Sequence, residues 1–122
     1  MSAGKNRPQP PIPVMLHPDA QRELGDLDPA TRADVLVIIA KVNGKKHQEI
    51  VSLLDVRTEP KIAQWERSNR AGALRVVFAW GKGVLWFIGA FVKVNNPDGE
   101  RQMVRIRARA DEVKGTGVSI KK

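Results

Sequence analysis

The chain has 122 residues, of which 42% are hydrophobic, and it carries a net charge of +8 with a pI of about 10.3. This length and hydrophobicity predict one domain with a single core. The absence of cysteine excludes disulfides, catalytic thiolates and thiolate metal sites, and no apolar run approaches the roughly 20 residues that span a bilayer. The excess of cations favours a polyanionic partner, such as RNA, DNA, an acidic protein or an anionic membrane.

The sequence offers no recognisable site for a metal or another cofactor. His17 and His47 are its two histidines, and they lie far apart in the chain. The first residues contain no apolar core of the signal-peptide kind. We therefore expect a soluble cytoplasmic protein that needs no cofactor.

The first third of the chain predicts an arm, a short strand and two helices. Residues 1–13 are polar and rich in proline, which predicts a flexible or extended arm. Val14–His17 predicts a short strand, and Pro18–Leu27 a short helix. The second helix has Asp28 as N-cap and Pro29 in its first turn, and "NG" ends it at residues 43–44. Its apolar stripe consists of Val35, Leu36, Ile38, Ile39 and Val42.

The middle of the chain predicts three consecutive strands. "HQEIVSLL" before them fits either a helical turn or a packed loop. Lys61–Ser68 predicts a strand with Trp65 in the core, and "LRVVFAW" and "VLWFIGAFVKV" predict a hairpin around "GKG". Strands joined by such short turns form an antiparallel meander, which the preceding helices must cover on one face.

The C-terminal segment fits two patterns. "MVRIRARA" alternates as a strand would, but a helix from Asp98 to Lys114 places the apolar residues on one side and the arginines on the other. Its length and its Ala, Arg, Gln and Met content favour the helix. The predicted fold is thus α+β: a small antiparallel β-meander packed by two N-terminal helices, with a basic C-terminal helix. Residues 14–114 form the domain, and residues 115–122 form a basic flexible tail.

The order of these segments resembles the RelE/ParE toxin superfamily of bacterial type II toxin–antitoxin systems, and within it the HigB or phage-derived Gp49-like branch. The resemblance extends from Pro18 to Val113. It is most specific at Trp65-Glu66-Arg67, at the strand that contains Arg75, and at Phe91-Val92-Lys93.

The resemblance implies a function as well as a fold. Toxins of this kind stop translation by ribosome-dependent cleavage of mRNA, and those of the ParE branch poison DNA gyrase. A cognate antitoxin encoded beside the toxin, often a helix-turn-helix protein, holds it inactive. The implied partners are therefore an antitoxin, the ribosome with its mRNA, or gyrase.

Metal-independent RNA cleavage needs a base for the attacking 2′-hydroxyl, a cation for the phosphorane and an acid for the leaving oxygen. Arg75 matches the strand arginine of the family and fits the cationic role, although it can instead pair with Glu66 or another acid across the sheet. Arg67 is a second phosphate contact or a solvated edge residue, and Lys93 binds phosphate or snorkels from its strand end. His47 is the candidate acid or base, because histidine titrates near neutrality, or is a surface histidine.

A second group of cations is predicted to bind RNA phosphates: Arg101, Arg105 and Arg109 of the basic helix, and Lys82 of the "GKG" loop. The helix arginines can also form a solvated face or the dock for an acidic antitoxin segment. The chain departs from many RelE-type nucleases because it contains no tyrosine. This leaves open a non-catalytic gyrase inhibitor or phage-encoded host-factor binder. A simple nucleic-acid-binding domain is disfavoured, because the strands offer no exposed aromatic platform.

The hairpin loop decides whether two of the candidates share a face. A three-residue "GKG" loop places Arg75 opposite Gly89, on an open cationic face with Phe91 and Lys93. A two-residue loop at Lys82-Gly83 shifts the register and sends Lys93 to the face opposite Arg75.

Overall fold

The computed structural model describes residues 10–56, 62–69, 72–93 and 96–114. Within these residues the fold is α+β, as predicted. Its elements in chain order are β1 (Val14–Leu16), α1 (Pro18–Leu24), α2 (Pro29–Val42), α3 (His47–Leu53), β2 (Asp55–Val56), β3 (Ile62–Asn69), β4 (Gly72–Trp80), β5 (Leu85–Lys93) and α4 (Asn96–Val113). No helix in this part of the chain is long and apolar enough to cross a membrane.

The strands form one five-stranded sheet in the order β1-β5-β4-β3-β2. The antiparallel meander of β3, β4 and β5 is confirmed. The prediction of a purely antiparallel sheet was wrong, because β1 pairs with β5 in parallel, with Val14 opposite Leu85 and Leu16 opposite Phe87. Three helices separate β1 from the meander, and β1 occupies the edge of β5 that the meander leaves unpaired. An apolar edge strand is thereby covered.

The helices begin and end at local signals. Asp28 caps α2 by accepting a hydrogen bond from the Thr31 amide at 3.2 Å, and Gly44 leaves the helix with a φ of +80°. A hydrogen bond from Thr31 lowers the pKa of Asp28. The first helix is shorter than predicted and ends at Leu24 rather than Leu27, because Gly25 follows it and a glycine weakens helix propagation. "HQEIVSLL" forms the helix α3, one of the two outcomes that its sequence allowed.

The sheet separates two apolar cores, so the domain has three layers. On one face β4 and β5 pack against α1, α2 and α3; the buried residues of this core include Leu24, Val35, Ile38, Val42, Ile50, Val76, Phe78 and Phe87. On the other face they pack against α4; this core includes Val77, Trp86, Ile88, Phe91, Met103, Ile106, Ala110 and Val113. Three helices rather than two cover the first face, and the C-terminal helix covers the second.

The β4–β5 hairpin has the two-residue turn, one of the two predicted alternatives, but its register at Arg75 differs from both predicted registers. The turn spans Lys82 and Gly83, because the amide of Gly81 donates to the carbonyl of Val84 at 3.0 Å and Gly83 has a φ of +75°. A bulge then adds one residue to β5, so that Arg75 lies opposite Phe91. The predicted pairing of Arg75 with Gly89 was therefore wrong, because the two-residue turn shifts the partner of Arg75 by one position and the bulge shifts it by one more.

Gly89 instead lies opposite Val77 and provides the space into which α4 packs. A Cβ atom at this position would lie 2.7 Å from Cδ1 and 2.8 Å from Cγ1 of Ile106, which is itself fully buried. The bare backbone at Gly89 thus sets how closely α4 approaches the sheet.

We expect Gly89→Ala to lower the free energy of unfolding by about 1–3 kcal/mol, because the added methyl overlaps Ile106 in a packed core. Urea unfolding of Gly89→Ala, Ile106→Ala and the double variant measures this. If steric overlap is the cause, the double variant loses less stability than the sum of the two single variants. Simple additivity would contradict the close packing of these two positions.

Candidate nucleic-acid interface

Arg75 lies near the start of β4, on the sheet face that α4 covers. Its side chain is half-buried, and its guanidinium carbon is 5.7 Å from the centroid of the Phe91 ring. A cation over an aromatic face at this distance is attracted by the ring quadrupole. On the neighbouring strand β3, the backbone register places Glu66 directly opposite Arg75. The structure thus holds Arg75 between an aromatic residue and the position of an acidic one.

Two further candidates belong to the same part of the sheet. Lys93 ends β5 opposite Ala73, two pairs beyond the Arg75–Phe91 pair, which is about 7 Å along the strands. Arg67 lies on β3 opposite Leu74, one pair from the Glu66–Arg75 pair. The side chains of Lys93 and Arg67 lie outside the described part of the structure, so their roles stay predictions.

The face around Arg75 is less open than expected. Phe91 is 5% exposed, and Met103 and Ile106 of α4 pack in the same core. Arg75 lies at the margin of this core, two residue pairs from the end of β5. The site is therefore a half-covered cation at the edge of an apolar core, and not a flat cationic sheet.

His47 does not join Arg75. Its ring stacks on Trp80, with 4.9 Å between the ring centroids and an angle of 33° between the planes. Trp80 packs with the core under α1, α2 and α3, whereas Arg75 lies on the other face. Trp80 and Arg75 are also five positions apart on β4, which is about 17 Å along the strand. An imidazole at His47 thus lies too far from Arg75 to exchange a proton with a group bound there.

The arginines of α4 are mostly engaged within the domain. Arg101 pairs with Asp98 on the surface at 2.9 Å, and Arg105 pairs with Glu23 of α1 at 2.5 Å. Arg109 is 6% exposed, and its guanidinium donates to both carboxylate oxygens of Glu23 and to the carbonyl of Ile88. A contact between RNA and Arg109 would therefore require α4 to move.

Glu23 of α1 forms the ion pairs that join α1 to α4. Partial burial raises the pKa of Glu23, but hydrogen bonds and positive charge from Arg109 and Arg105 outweigh it, and the net pKa is lowered from its ordinary value of 4.5. A second link joins α4 to the N-cap of α1, since Nε2 of the buried His17 lies 3.2 Å from Oε1 of Glu112. Nδ1 of His17 accepts from the Asp19 amide, so Nε2 carries the proton and donates to Glu112.

These links could not be found by sequence pattern. Glu23 and Arg109 are 86 residues apart, and His17 and Glu112 are 95 residues apart. Local patterning favours a solvated arginine face on α4, because it does not show which part of the chain packs against that face. The partner acids become visible only when α1 and α4 are placed together at β5.

The fourth predicted RNA contact, Lys82, is exposed in the β4–β5 turn. It lies on the turn at the end of β4 and β5 that is remote from Arg75. Among the residues that the structure describes, no group of three or more His, Asp or Glu side chains is close enough to hold a metal ion. The described cations therefore form separate local environments around Arg75, along α4 and near Trp80.

The fold is similar to that of a solved toxin. The Escherichia coli toxin RelE, in the structure of a double arginine-to-alanine mutant in the free state, aligns with a TM-score of 0.56 and 16% sequence identity. The alignment covers 79% of this chain and 98% of RelE. At this identity the similarity establishes a RelE-like fold. No protein-family model matches the chain, and no similar protein was found among curated sequences.

We expect Glu23→Gln to lower the free energy of unfolding by about 2 kcal/mol, because the variant leaves the buried Arg109 cation without its carboxylate. The carboxylate of Glu23 stabilises the fold above its unfolded pKa, and this contribution is lost as the pH falls through the lowered folded pKa. The difference between wild type and variant in urea unfolding should therefore be complete near about pH 7 and vanish in strongly acid solution.

Arg22→Gln is the matched control, because it breaks the exposed Arg22–Asp19 pair on the same helix. Exposed pairs contribute less than about 1 kcal/mol. Equal losses of stability in the Glu23 and Arg22 variants would show that the α1–α4 ion pair stabilises the fold no more than an exposed ion pair does.

Proposed function

We propose that this protein is a RelE-like toxin of a type II toxin–antitoxin system that inhibits translation by cleaving mRNA on the ribosome. The observation that carries the proposal is the half-buried Arg75 on the central strand of a RelE-like fold. The net charge of +8 supports a polyanionic target. A HigB-like or phage-derived Gp49-like ancestry and action in the cytoplasm belong to the same proposal.

The chemistry assigned to this site is metal-independent transesterification. The 2′-hydroxyl oxygen attacks the adjacent phosphorus and loses its proton to a base. The bond from phosphorus to the 5′ oxygen breaks, and that oxygen takes up a proton, which yields a 2′,3′-cyclic phosphate and a 5′-hydroxyl end. Arg75 stabilises the negative charge that grows on the phosphorane, because its planar guanidinium donates to two phosphate oxygens and stays protonated.

We assign the acid and the base to residues other than His47, because its ring lies against Trp80 on the sheet face opposite Arg75. Glu66 is the candidate base, because its backbone pairs with Arg75 across the β3–β4 ladder. Lys93 and Arg67 are proposed as further phosphate contacts on the neighbouring strands. An antitoxin, encoded adjacently, is the proposed partner that keeps the toxin inactive.

We expect Arg75→Ala to reduce mRNA cleavage by about a hundredfold or more, because it removes the donor to the transition state. Arg75→Lys should retain part of the activity, since it keeps the charge but loses the fork. The measurement is a map of mRNA 5′ ends in cells that express each variant under tight control. Codon-linked cleavage is expected for wild type and should be lost with Arg75→Ala.

Arg22→Ala serves as the control, because Arg22 is an exposed arginine on α1 with 71% of its side chain accessible. It should cleave and arrest growth as wild type does. Thermal unfolding confirms that Arg75→Ala remains folded. Undiminished cleavage by a folded Arg75→Ala variant would refute the assigned role.

A non-catalytic action is the second candidate, and a specific observation favours it. The chain contains no tyrosine, and its candidate acid–base histidine lies away from Arg75. A ParE-like inhibitor of DNA gyrase, or a phage-encoded binder of a host factor, needs no acid or base. Growth arrest with intact mRNA and an induced DNA-damage response would support gyrase as the target, and arrest with neither would support another host factor.

A further inference from the structure

Two loops lie side by side at the end of the sheet that is remote from Arg75. The segment at Ile12 and Pro13 joins them: the amide of Ile12 donates to the carbonyl of Lys45 at 2.9 Å, and the carbonyl of Pro13 accepts from the amide of Leu85 at 3.0 Å. The loop at residues 43–46 and the β4–β5 turn at residues 81–84 therefore both lie next to the short segment that precedes β1.

Both loops present lysines to solvent. Lys45 and Lys46 are exposed in the first loop, and Lys82 is exposed in the second. Each loop also contains a glycine with positive φ, Gly44 or Gly83, and beyond its chain neighbours no atom lies within 4 Å of the Cβ position at either glycine. The backbone on this side is thus open to an approaching chain. An acidic residue, Glu49, follows the first loop closely in sequence, and its Oε1 accepts a hydrogen bond from the Lys46 amide.

An aromatic pair connects the two loops. His47 follows the first loop, Trp80 precedes the second, and their ring centroids lie 4.9 Å apart with the planes tilted by 33°. His47 is exposed, whereas Trp80 is half-buried and fixed against the core under the helices. Because Trp80 covers one side of the imidazole, the other side is a supported planar surface on which a further planar group can stack.

We infer that this surface, formed by Lys45, Lys46, His47, Trp80 and Lys82, binds single-stranded RNA. A nucleobase stacks on His47, and the lysines of the two loops contact the flanking phosphates. An acidic protein segment would use the lysines alone and would gain nothing from the supported ring. The inference goes beyond the proposed cleavage, because binding breaks no bond and the surface lies on the opposite sheet face from Arg75.

The test is the affinity of the full chain for a fluorescein-labelled oligoadenylate of about 12 nucleotides, which is long enough for a site of this size. Fluorescence anisotropy measures it between about 50 and 200 mM NaCl. Every protein in the series carries Arg75→Ala, so that the RNA stays intact and a failure of the proposed cleavage does not affect the measurement. A gel confirms that the oligonucleotide is uncut.

We expect His47→Ala to weaken binding about tenfold through the loss of one stacked base. His47→Phe should retain most of the affinity, because it keeps a ring on Trp80. Lys82→Ala should reduce the slope of log affinity against log salt by about 0.7, the value for one phosphate contact on a single strand. Gln48→Ala, an exposed neighbour on α3, and Lys114→Ala, an exposed lysine at the end of α4, are the matched controls and should bind as the parent does.

Three outcomes would overturn the inference. The parent protein binds no oligoadenylate at the lowest salt concentration, or His47→Ala binds as tightly as Gln48→Ala. In the third, polyglutamate binds the parent, and the His47→Ala substitution weakens polyglutamate binding as much as it weakens RNA binding. That result would assign the surface to an acidic protein. Circular dichroism shows whether His47→Ala is folded. If it is not, two other results decide: the affinity of His47→Phe, which should stay close to that of the parent, and the salt slope of Lys82→Ala, which should be lower than that of the parent.

Discussion

The close approach of α4 to the sheet is the constraint on which the other features depend. Ile106 occupies the space that a side chain at residue 89 would fill, so the helix packs directly on the backbone of β5. This approach buries Phe91 and Met103, and Phe91 in turn supports the guanidinium of Arg75. It also brings Arg109 to the carbonyl of Ile88 and to Glu23. The candidate site and the α1–α4 ion pair therefore depend on one glycine.

The predictions from sequence succeeded where the signal is local and failed where it is not. The α2 helix follows from Asp28, Pro29 and an apolar period, all within a single segment. The β1–β5 pairing is parallel and joins residues about seventy positions apart, so no local pattern announces it. The bulge near Ile88 also has no sequence signature, although it decides that Phe91 rather than Ala90 lies opposite Arg75.

The same reasoning explains why only part of the candidate site was predicted. Arg75 was found because an arginine inside an apolar strand is unusual, and the contact with Phe91 gives it a partner in the structure. His47 was joined to it only through its chemistry, and residue chemistry contains no information about the face of a sheet. The stacking of His47 on Trp80 depends on the approach of α3 to the end of β4, which is a tertiary feature.

The net charge of +8 does not by itself indicate which cations meet a nucleic acid. Arginine offers several donors in a fixed plane, and in this domain Arg109 and Arg105 use them to hold α4 against α1. Lysine is a flexible point charge that makes fewer directed contacts, and Lys45, Lys46 and Lys82 are exposed. The most arginine-rich segment of the sequence is therefore largely engaged in the fold. Three exposed lysines lie instead on two short loops, beside His47, whose ring packs against Trp80.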